Sequence, residues 1–597
     1  MRFLVFRPSP DRWPLAARVG VSTAILAGLG WAAGDIGAGL IAVLGLLTAD
    51  YGTDRPYANR AIQSAVIAGA LAAAVTLGAW ASAYAWLAVT VVSVVAVVAV
   101  WLCSALGVGP PGGYMFVLVC AAGVGVSASQ LRPWQIGLLV LGGGATAWTA
   151  QMSPALIDRR GPEKRALSRA GDAVAAYLHA TGTPPAAKAR KQAAEALSRA
   201  WETLVDHQRR CARSAETVSR LRDANHALHR MFAEGLAAAS MGRRAPDSAA
   251  DSARAIGALE ANPAVVIGKD RNRPPLPPVA VRDRLTGAFH RDSHVRRVMA
   301  RVAVATPVAG ALAGAFGVGH AYWAMAAAVL VLHQGAHLTA TLQRGAERVV
   351  GTLAGLGFTA LILTLHPQGW WLIAVVAGLQ CCIQMFIVAN YALATVFITA
   401  LALTISSGAH PVDVGTLILD RGADTLIGCG VGLAVYLLMA RPQEAGRIHT
   451  AIVGVLQRAA AVTELLARTT PRSLDSRDAR RALQNSIFDL DAAQDAARHG
   501  TRRDRAAAAR WAALVDATGH LGYATVAGCW AAEQYGAAIF GRSDPEAYLA
   551  LIRRLTDAAR RLAGTGPTTA GEDLPPFSES EVRALVRAVN ELDRGEA

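Results

Sequence analysis

Apolar residues gather in two long blocks, 15–152 and 298–440, which alternate with two polar blocks of similar length. Within each apolar block, charge-free runs reach or approach the ~20 residues a helix needs to cross the hydrocarbon of a bilayer. Six segments are expected in each. In the first they run 15–33, 36–49, 58–80, 84–106, 113–128 and 134–152, bounded by Gly, Pro, Asp or Arg. In the second they run 298–317, 322–333, 344–365, 369–388, 391–407 and 414–439. Segments short of a full span are expected to be inner helices shielded by neighbours, or halves of helices broken around a site.

The polar blocks also read as helical. Between 161 and 239, Ala-rich runs carry apolar residues at helical spacing, such as Ala196, Leu197, Trp201, Leu204 and Val205. A Pro- and Arg-rich stretch from Arg271 to Pro278 breaks the pattern. The last block predicts helices near 443–467, 476–498, 503–535 and 545–563. The expected fold is an all-α polytopic membrane protein with two repeated six-helix transmembrane modules, 1–154 and 298–440, alternating with two helical cytoplasmic domains, 155–297 and 441–597.

Composition agrees: 53% of residues are hydrophobic, and the formal net charge is +15. The positive residues set the orientation. Arg2, Arg7, Arg12 and Arg18 precede the first segment, and Arg159, Arg160, Lys164 and Arg165 follow the sixth. Arg291, Arg296, Arg297 and Arg301 precede the seventh, and Arg441 and Arg447 follow the twelfth. An even number of spans puts all four clusters on one face, which the positive-inside rule makes cytoplasmic. Arg55, Arg60, Arg344 and Arg348 fall on that side too, and Arg132 is the exception on the outer side. Both termini are therefore expected in the cytoplasm, with the chain in the cell (inner) membrane. No cleavable signal peptide is expected. The polar block between the membrane halves carries about +11 and the last block is near neutral, which suits attraction to lipid headgroups or a vestibule that concentrates anions. No aromatic-basic interleaving points to nucleic acid.

The two apolar blocks align with each other. Arg60 meets Arg344, the run 132–137 meets 410–415, and Tyr114 meets Tyr391 after a small gap. With six spans each, the halves share one orientation, so a pseudo-twofold axis along the membrane normal and a site between the halves are expected. Their charges differ. Opposite Glu347 and Arg348 the first half has Gln63 and Ser64; opposite Asp420, Arg421 and Asp424 it has Gly142, Gly143 and Thr146. Ionised side chains inside a bilayer are costly unless paired or facing water, so these residues are candidates for function.

Arg344, Glu347, Arg348 and Gly351 fall three and four residues apart, so Arg344 can pair with Glu347 while Arg348 lies one turn on. This cluster is expected at the cytoplasmic mouth, where Arg can grip a carboxylate bidentately. The alternative is a set of interfacial anchors. Arg421 and Asp424 are expected toward the outer half, sharing a face with Thr425 and Gly428, either as a gate or proton-coupled switch in which a cargo carboxylate competes with Asp424 for Arg421 or as a permanent structural pair. Asn390, Tyr391, Thr395 and Thr399 can line one face of the eleventh segment, and Gln380 with Gln384 the tenth; helix-to-helix hydrogen bonding is the plainer reading. Gly310 with Gly314, and Gly351 with Gly355, have the small-xxx-small spacing of close helix packing.

Enzyme and cofactor chemistry is not expected. His333 and His337 are one helical turn apart but lack the Glu of a zinc protease, and the Gly-rich stretch 107–113 lacks the Lys-Ser/Thr of a phosphate loop. The seven Cys have neither metal nor disulfide spacing.

The runs Tyr322-Trp323-Ala, Gln343-Arg-Gly-Ala-Glu-Arg-Val-Val-Gly-Thr-Leu-Ala-Gly355, Asn390-Tyr-Ala-Leu-Ala-Thr-Val-Phe397 and Asp420-Arg-Gly-Ala-Asp-Thr-Leu-Ile-Gly428 resemble the fusaric acid resistance protein-like (FUSC) family, the integral membrane bound transporter domain. The resemblance is strongest from about Val298 to Met439. It implies a secondary exporter of small, often aromatic, carboxylic acids or related toxic compounds. Similarity to plant aluminium-activated malate transporters keeps an organic-anion channel open, and a non-transporting membrane scaffold is the third reading. The partners expected are the bilayer and an organic anion, with a homo-oligomer and an adaptor left open.

Overall fold

The computed structural model describes residues 12–126, 131–183, 185–208, 216–267, 281–289, 293–317, 319–334, 338–365, 367–409, 414–439, 444–468, 471, 473–561 and 574–594. Among the described residues the fold is helical, with no strand. The first apolar block forms α1 (Trp13–Ala32), α2 (Ile36–Val43, continued by a 3-10 segment Leu44–Asp50), α3 (Tyr57–Ala81), α4 (Ala85–Ala105), α5 (Tyr114–Val126) and α6 (Pro133–Met152). The first polar block forms α7 (Gly161–Ala180), α8 (Ala186–Trp201), α9 (Glu216–Ser240), α10 (Asp247–Gly257), α11 (Ala264–Ile267) and α12 (Val281–Gly287). In the second apolar block are α13 (His294–Ala315), α14 (Tyr322–Gln334), α15 (Leu338–Thr364), α16 (Trp370–Phe386), α17 (Tyr391–Ala409) and α18 (Val414–Met439). The remainder forms α19 (Glu444–Arg468), α20 (Leu474–Arg498), α21 (Arg502–Arg510), α22 (Ala512–Tyr535), α23 (Pro545–Arg561) and α24 (Glu579–Asp593). Arg2, Arg7, Arg291 and Arg441 of the basic clusters, the stretch 271–278, His337 and 410–413 lie outside the described residues.

The chain divides into two compact units, one gathering both apolar blocks and the other both polar blocks together with Asp54–Pro56. In the apolar unit α1, α3, α4, α13, α15 and α18 are long and apolar enough to cross a membrane, while α2, α5, α14, α16 and α17 are apolar but shorter. The short α14 is wrapped on every side: Ala324, Met325, Val329, Leu330, Val331 and Leu332 are all at most 1% exposed. A helix enclosed by protein needs no lipid-facing stripe and no full span. The long helices instead present large apolar side chains outward, among them Val66, Trp80, Trp86, Leu361 and Leu438.

Helix neighbours in the two apolar blocks correspond. α3 packs on α5 and α6, as α15 packs on α17 and α18; α1 packs on α2, as α13 does on α14. Between the blocks, α1 meets α16 and α13 meets α4, while α2 meets α17 and α14 meets α5. Every one of these pairings has its counterpart in the other half.

The polar blocks, expected as two separate domains, share one core. Leu167, Val174, Leu197, Leu228 and Phe232 of the first lie in the same buried cluster as Ile448, Val455, Leu483, Leu490, Leu521 and Leu555 of the second. Amphipathic helices each carry one apolar stripe that needs a partner, and here the partner comes from the other block. The stretch Arg447–Arg468 is long and apolar enough to span a membrane, yet it is the centre of this core, packed by α20, α22 and α23. Hydropathy alone does not separate a span from a fully wrapped core helix.

Candidate functional site

Two glycine-backed contacts position the charged residues of the second half. On α15, a Cβ added to Gly351 comes 2.4 Å from the Ala392 carbonyl oxygen of α17, and one added to Gly355 comes 2.8 Å from Thr399 Cβ. The backbones therefore meet, and Arg348, three residues before Gly351, is set beside Tyr391 at the start of α17. On α18, a Cβ added to Gly428 comes 2.2 Å from the Ala324 carbonyl oxygen of α14. Asp424 and Arg421, four and seven residues earlier, are thereby held against the start of α14, where Tyr322 and Trp323 stand. At the other small-residue pair only Gly310 meets a neighbouring helix, at Met325, and Gly314 meets nothing.

The structure brings Arg348 and Arg421 together. They are expected near opposite ends of a pathway, but they are close enough for each charge to act on the other. Arg348 is 2% exposed, Arg421 3% and Asp424 0%. The expected Arg421–Asp424 bond is not formed. Arg421 instead lies flat on Trp323, with its Cζ 3.7 Å from the ring centroid. The indole face takes up part of the cation's field but offers no hydrogen-bond acceptor. Among the described residues, Nε and Nη2 of Arg421, Nε and Nη1 of Arg348, and both oxygens of Asp424 are buried without a hydrogen-bond partner. Two guanidiniums and one carboxylate leave the cluster net positive, since arginine stays protonated.

The remaining sequence candidates have other partners. Glu347 accepts from Gln343 at 2.7 Å and pairs with Arg344 at 3.5 Å, as their spacing suggested. Arg344 is half-buried and lies over the Tyr391 ring at 4.5 Å. Asp420 pairs with His320 at 3.1 Å rather than joining Arg421. Asn390 caps α17 by accepting from the Leu393 N–H at 3.0 Å, and the Thr395 hydroxyl donates to the Tyr391 carbonyl while its methyl packs against Gly351. These two residues build the helix that carries Tyr391. Of the glutamines on α16, Gln384 donates to Asp50 in the first half at 2.8 Å.

Sequence reading missed three participants. Trp323 and Tyr322 were visible only as part of a motif, because nothing in linear spacing brings them to Arg421. Asp50, an acid at the end of an apolar segment, was read as a boundary. His333, considered for a metal, accepts from the Gly113 N–H at 3.3 Å and ties α14 to the start of α5.

Comparison with known proteins fits this geometry. Residues 308–435 match the fusaric acid resistance protein-like family, a range that holds all the buried charges of the cluster. A protein of Bacillus subtilis (strain 168), YvaC, described as an uncharacterized membrane protein, is 27% identical over 482 residues, covering 75% of this chain and 76% of its own length. No solved structure matches.

Proposed function

We propose, from the premise that this is a membrane protein of the fusaric acid resistance protein-like kind, that it is a secondary exporter of small organic acids, aromatic carboxylates in particular, across the cell membrane. The observation that carries the reading is the cluster of Arg348, Arg421 and Asp424, buried in an apolar unit with unpartnered hydrogen-bonding atoms on all three. Removing one partner of a buried ion pair costs ~3–5 kcal/mol, so a fold that keeps such atoms unpartnered does so at a cost that a role in transport accounts for. Guanidinium N–H groups match a carboxylate in geometry as well as charge, and Trp323, Tyr322 and Tyr391 around them favour a cargo with an aromatic body. The corresponding helix pairings support two repeated six-helix modules with the cluster on the path between them, and the distribution of Arg and Lys favours both termini and the polar unit in the cytoplasm.

The test is efflux of radiolabelled benzoate from proteoliposomes containing the full chain. Saturable efflux is expected, and Arg421→Gln is expected to reduce it at least tenfold with the melting temperature nearly unchanged. Equal flux in both proteins overturns the assignment. Unitary anion currents in a planar bilayer, without saturation, replace the exporter by a channel.

A further inference from the structure

Where α9 of the first polar block meets α22 of the last, a cavity of about 300 Å³ lies between the C-terminal halves of the two helices. Native interiors hold few voids larger than a water molecule, and pockets that take small organic ligands begin at about this volume. The walls are small residues: Ala233 and Ala237 on α9, and Ala524, Ala527, Gly528 and Ala531 on α22. Faces of this kind let helix backbones approach closely, yet here the gap stays open beside two large rings, Trp530 and Phe577.

Both rings are held in place by other contacts. Phe577 meets Phe540 and Tyr548 edge-on, with centroids 6.0 and 6.1 Å away, and its Cδ2 sits 2.8 Å from where a Cβ on Gly528 would be. Phe540 and Tyr548 are themselves buried. Trp530 carries Arg480 3.8 Å from its centroid and His229 stacked at 5.4 Å. The cavity is thus shaped before anything enters it, which spares a ligand the cost of ordering its own site.

The rim is polar and its charge is unbalanced. Arg230 and Arg243 stand there against one carboxylate, Glu234. Arg230 donates to the neutral side-chain oxygen of Gln534 at 2.5 Å, and the Arg243 side chain has no hydrogen-bond or ion-pair partner among the described residues. Tyr535, also lining the cavity, leaves its ring 63% exposed at the open side. Apolar walls select an apolar body, aromatic rings favour a flat one, and guanidinium groups at the rim favour a carboxylate.

We infer that this cavity is a binding site for a small amphipathic organic anion, an aromatic monocarboxylate, whose ring lies among Trp530, Phe577 and the alanine walls while its carboxylate meets Arg230 and Arg243. An occupant touches α9 and α22 at once, so binding also ties the two polar blocks together and raises the stability of their shared core. The site belongs to the polar unit, apart from the charge cluster of the apolar unit, and it stands independently of the exporter reading.

The experiment uses the purified full chain in nanodiscs with naphthoate as the probe. Naphthoate is expected to raise the melting temperature and to slow amide hydrogen exchange in the C-terminal halves of α9 and α22. The double variant Arg230→Gln, Arg243→Gln, altered only at the rim, is expected to raise the dissociation constant for this site at least tenfold, as loss of hydrogen bonds to an ion does. Ala531→Leu, which fills the cavity, is expected to abolish the protection, and neutral naphthamide to bind at least tenfold more weakly than naphthoate. Arg421→Gln should leave the protection as it is. No protection at α9 and α22, unaltered protection in the double variant, equal binding of naphthamide, or loss of the protection in Arg421→Gln each overturns this inference and leaves the exporter reading standing. Absent benzoate efflux with this protection intact overturns the exporter reading and leaves the site in the polar unit.

Discussion

Arg421 and Arg480 are set on tryptophans in the same way, one in each unit. Arg421 Cζ lies 3.7 Å from the Trp323 centroid and Arg480 Cζ lies 3.8 Å from that of Trp530. Arg480 also holds Glu533 at 2.9 Å, a carboxylate only 4% exposed, and next to it Arg481 pairs with Asp206. Arg421 has a buried carboxylate one turn away and does not bond it. The same chain that supplies a carboxylate for the stacked arginine of its polar unit leaves the one in its apolar unit without one among the described residues. Orphaned charge is therefore a local property of the membrane site, and the cation–π contact by itself is a general way of seating an arginine, with no bearing on transport.

The contrast breaks most sharply at Glu533. Glu533→Gln replaces the carboxylate that holds Arg480 by a neutral amide and is expected to destabilise the polar unit by about 3 kcal/mol, because a largely desolvated guanidinium loses its countercharge in the folded state. Thermal melting of the full chain, followed by hydrogen exchange across α20 and α22, checks it; benzoate efflux at a temperature where the variant is folded should be unchanged.

A histidine stacked on the same tryptophan carries a pH effect. His229 stacks on Trp530 with ring centroids 5.4 Å apart, and burial, helped by the charges of Arg480 and His226, pushes its pKa down to about 3. A histidine whose pKa is lower in the folded chain takes up its proton more readily when unfolded. Between the ordinary histidine range and about 3, the unfolded state binds more protons, so stability falls as the solution is acidified. Going from pH 7 to 4.5 is expected to cost the polar unit roughly 2 kcal/mol through this group. His229→Phe, which keeps an aromatic ring against Trp530, should flatten the dependence; an unchanged slope assigns the acid sensitivity elsewhere.

Glycine substitution tests the other side of the comparison, the backbone contact that seats Arg421. Gly428→Ala places a methyl group against the Ala324 carbonyl and is expected to destabilise the α14–α18 contact by about 1 to 2 kcal/mol and to lower efflux, since it moves Arg421 off Trp323. Gly430→Ala, whose added Cβ meets nothing, is the control. Equal efflux in the two variants would separate the packing from the site.

How much of this was legible beforehand follows from what each feature depends on. The helices and their grouping into apolar blocks are written in local hydropathy. The correspondence of the halves is written in motif order. The Arg344–Glu347 pair follows from spacing within one helix. The joining of the polar blocks, the approach of Arg348 to Arg421 and the seat of Arg421 on Trp323 depend on which helices touch, and a single sequence does not record that. Helical spacing misled at Asp424: at i and i+3 it permits an ion pair with Arg421, and Trp323, about a hundred residues away, takes the guanidinium instead.

Asp424→Asn is expected to change stability least and to sharpen the comparison most. The carboxylate is buried with both oxygens unpartnered, so amidation removes a desolvated charge while forfeiting its attraction for Arg421. The two terms oppose each other, and the net change is expected to stay within about 1 kcal/mol. Binding responds differently, because the cluster gains one unit of positive charge. Benzoate is expected to bind at least threefold more tightly to Asp424→Asn, and efflux at saturating benzoate to slow as release becomes limiting, so that KM and the maximal rate fall together. If Asp424→Asn instead destabilises the fold as much as Glu533→Gln, the carboxylate is a structural partner of Arg421 after all, and the two stacked arginines differ in geometry alone.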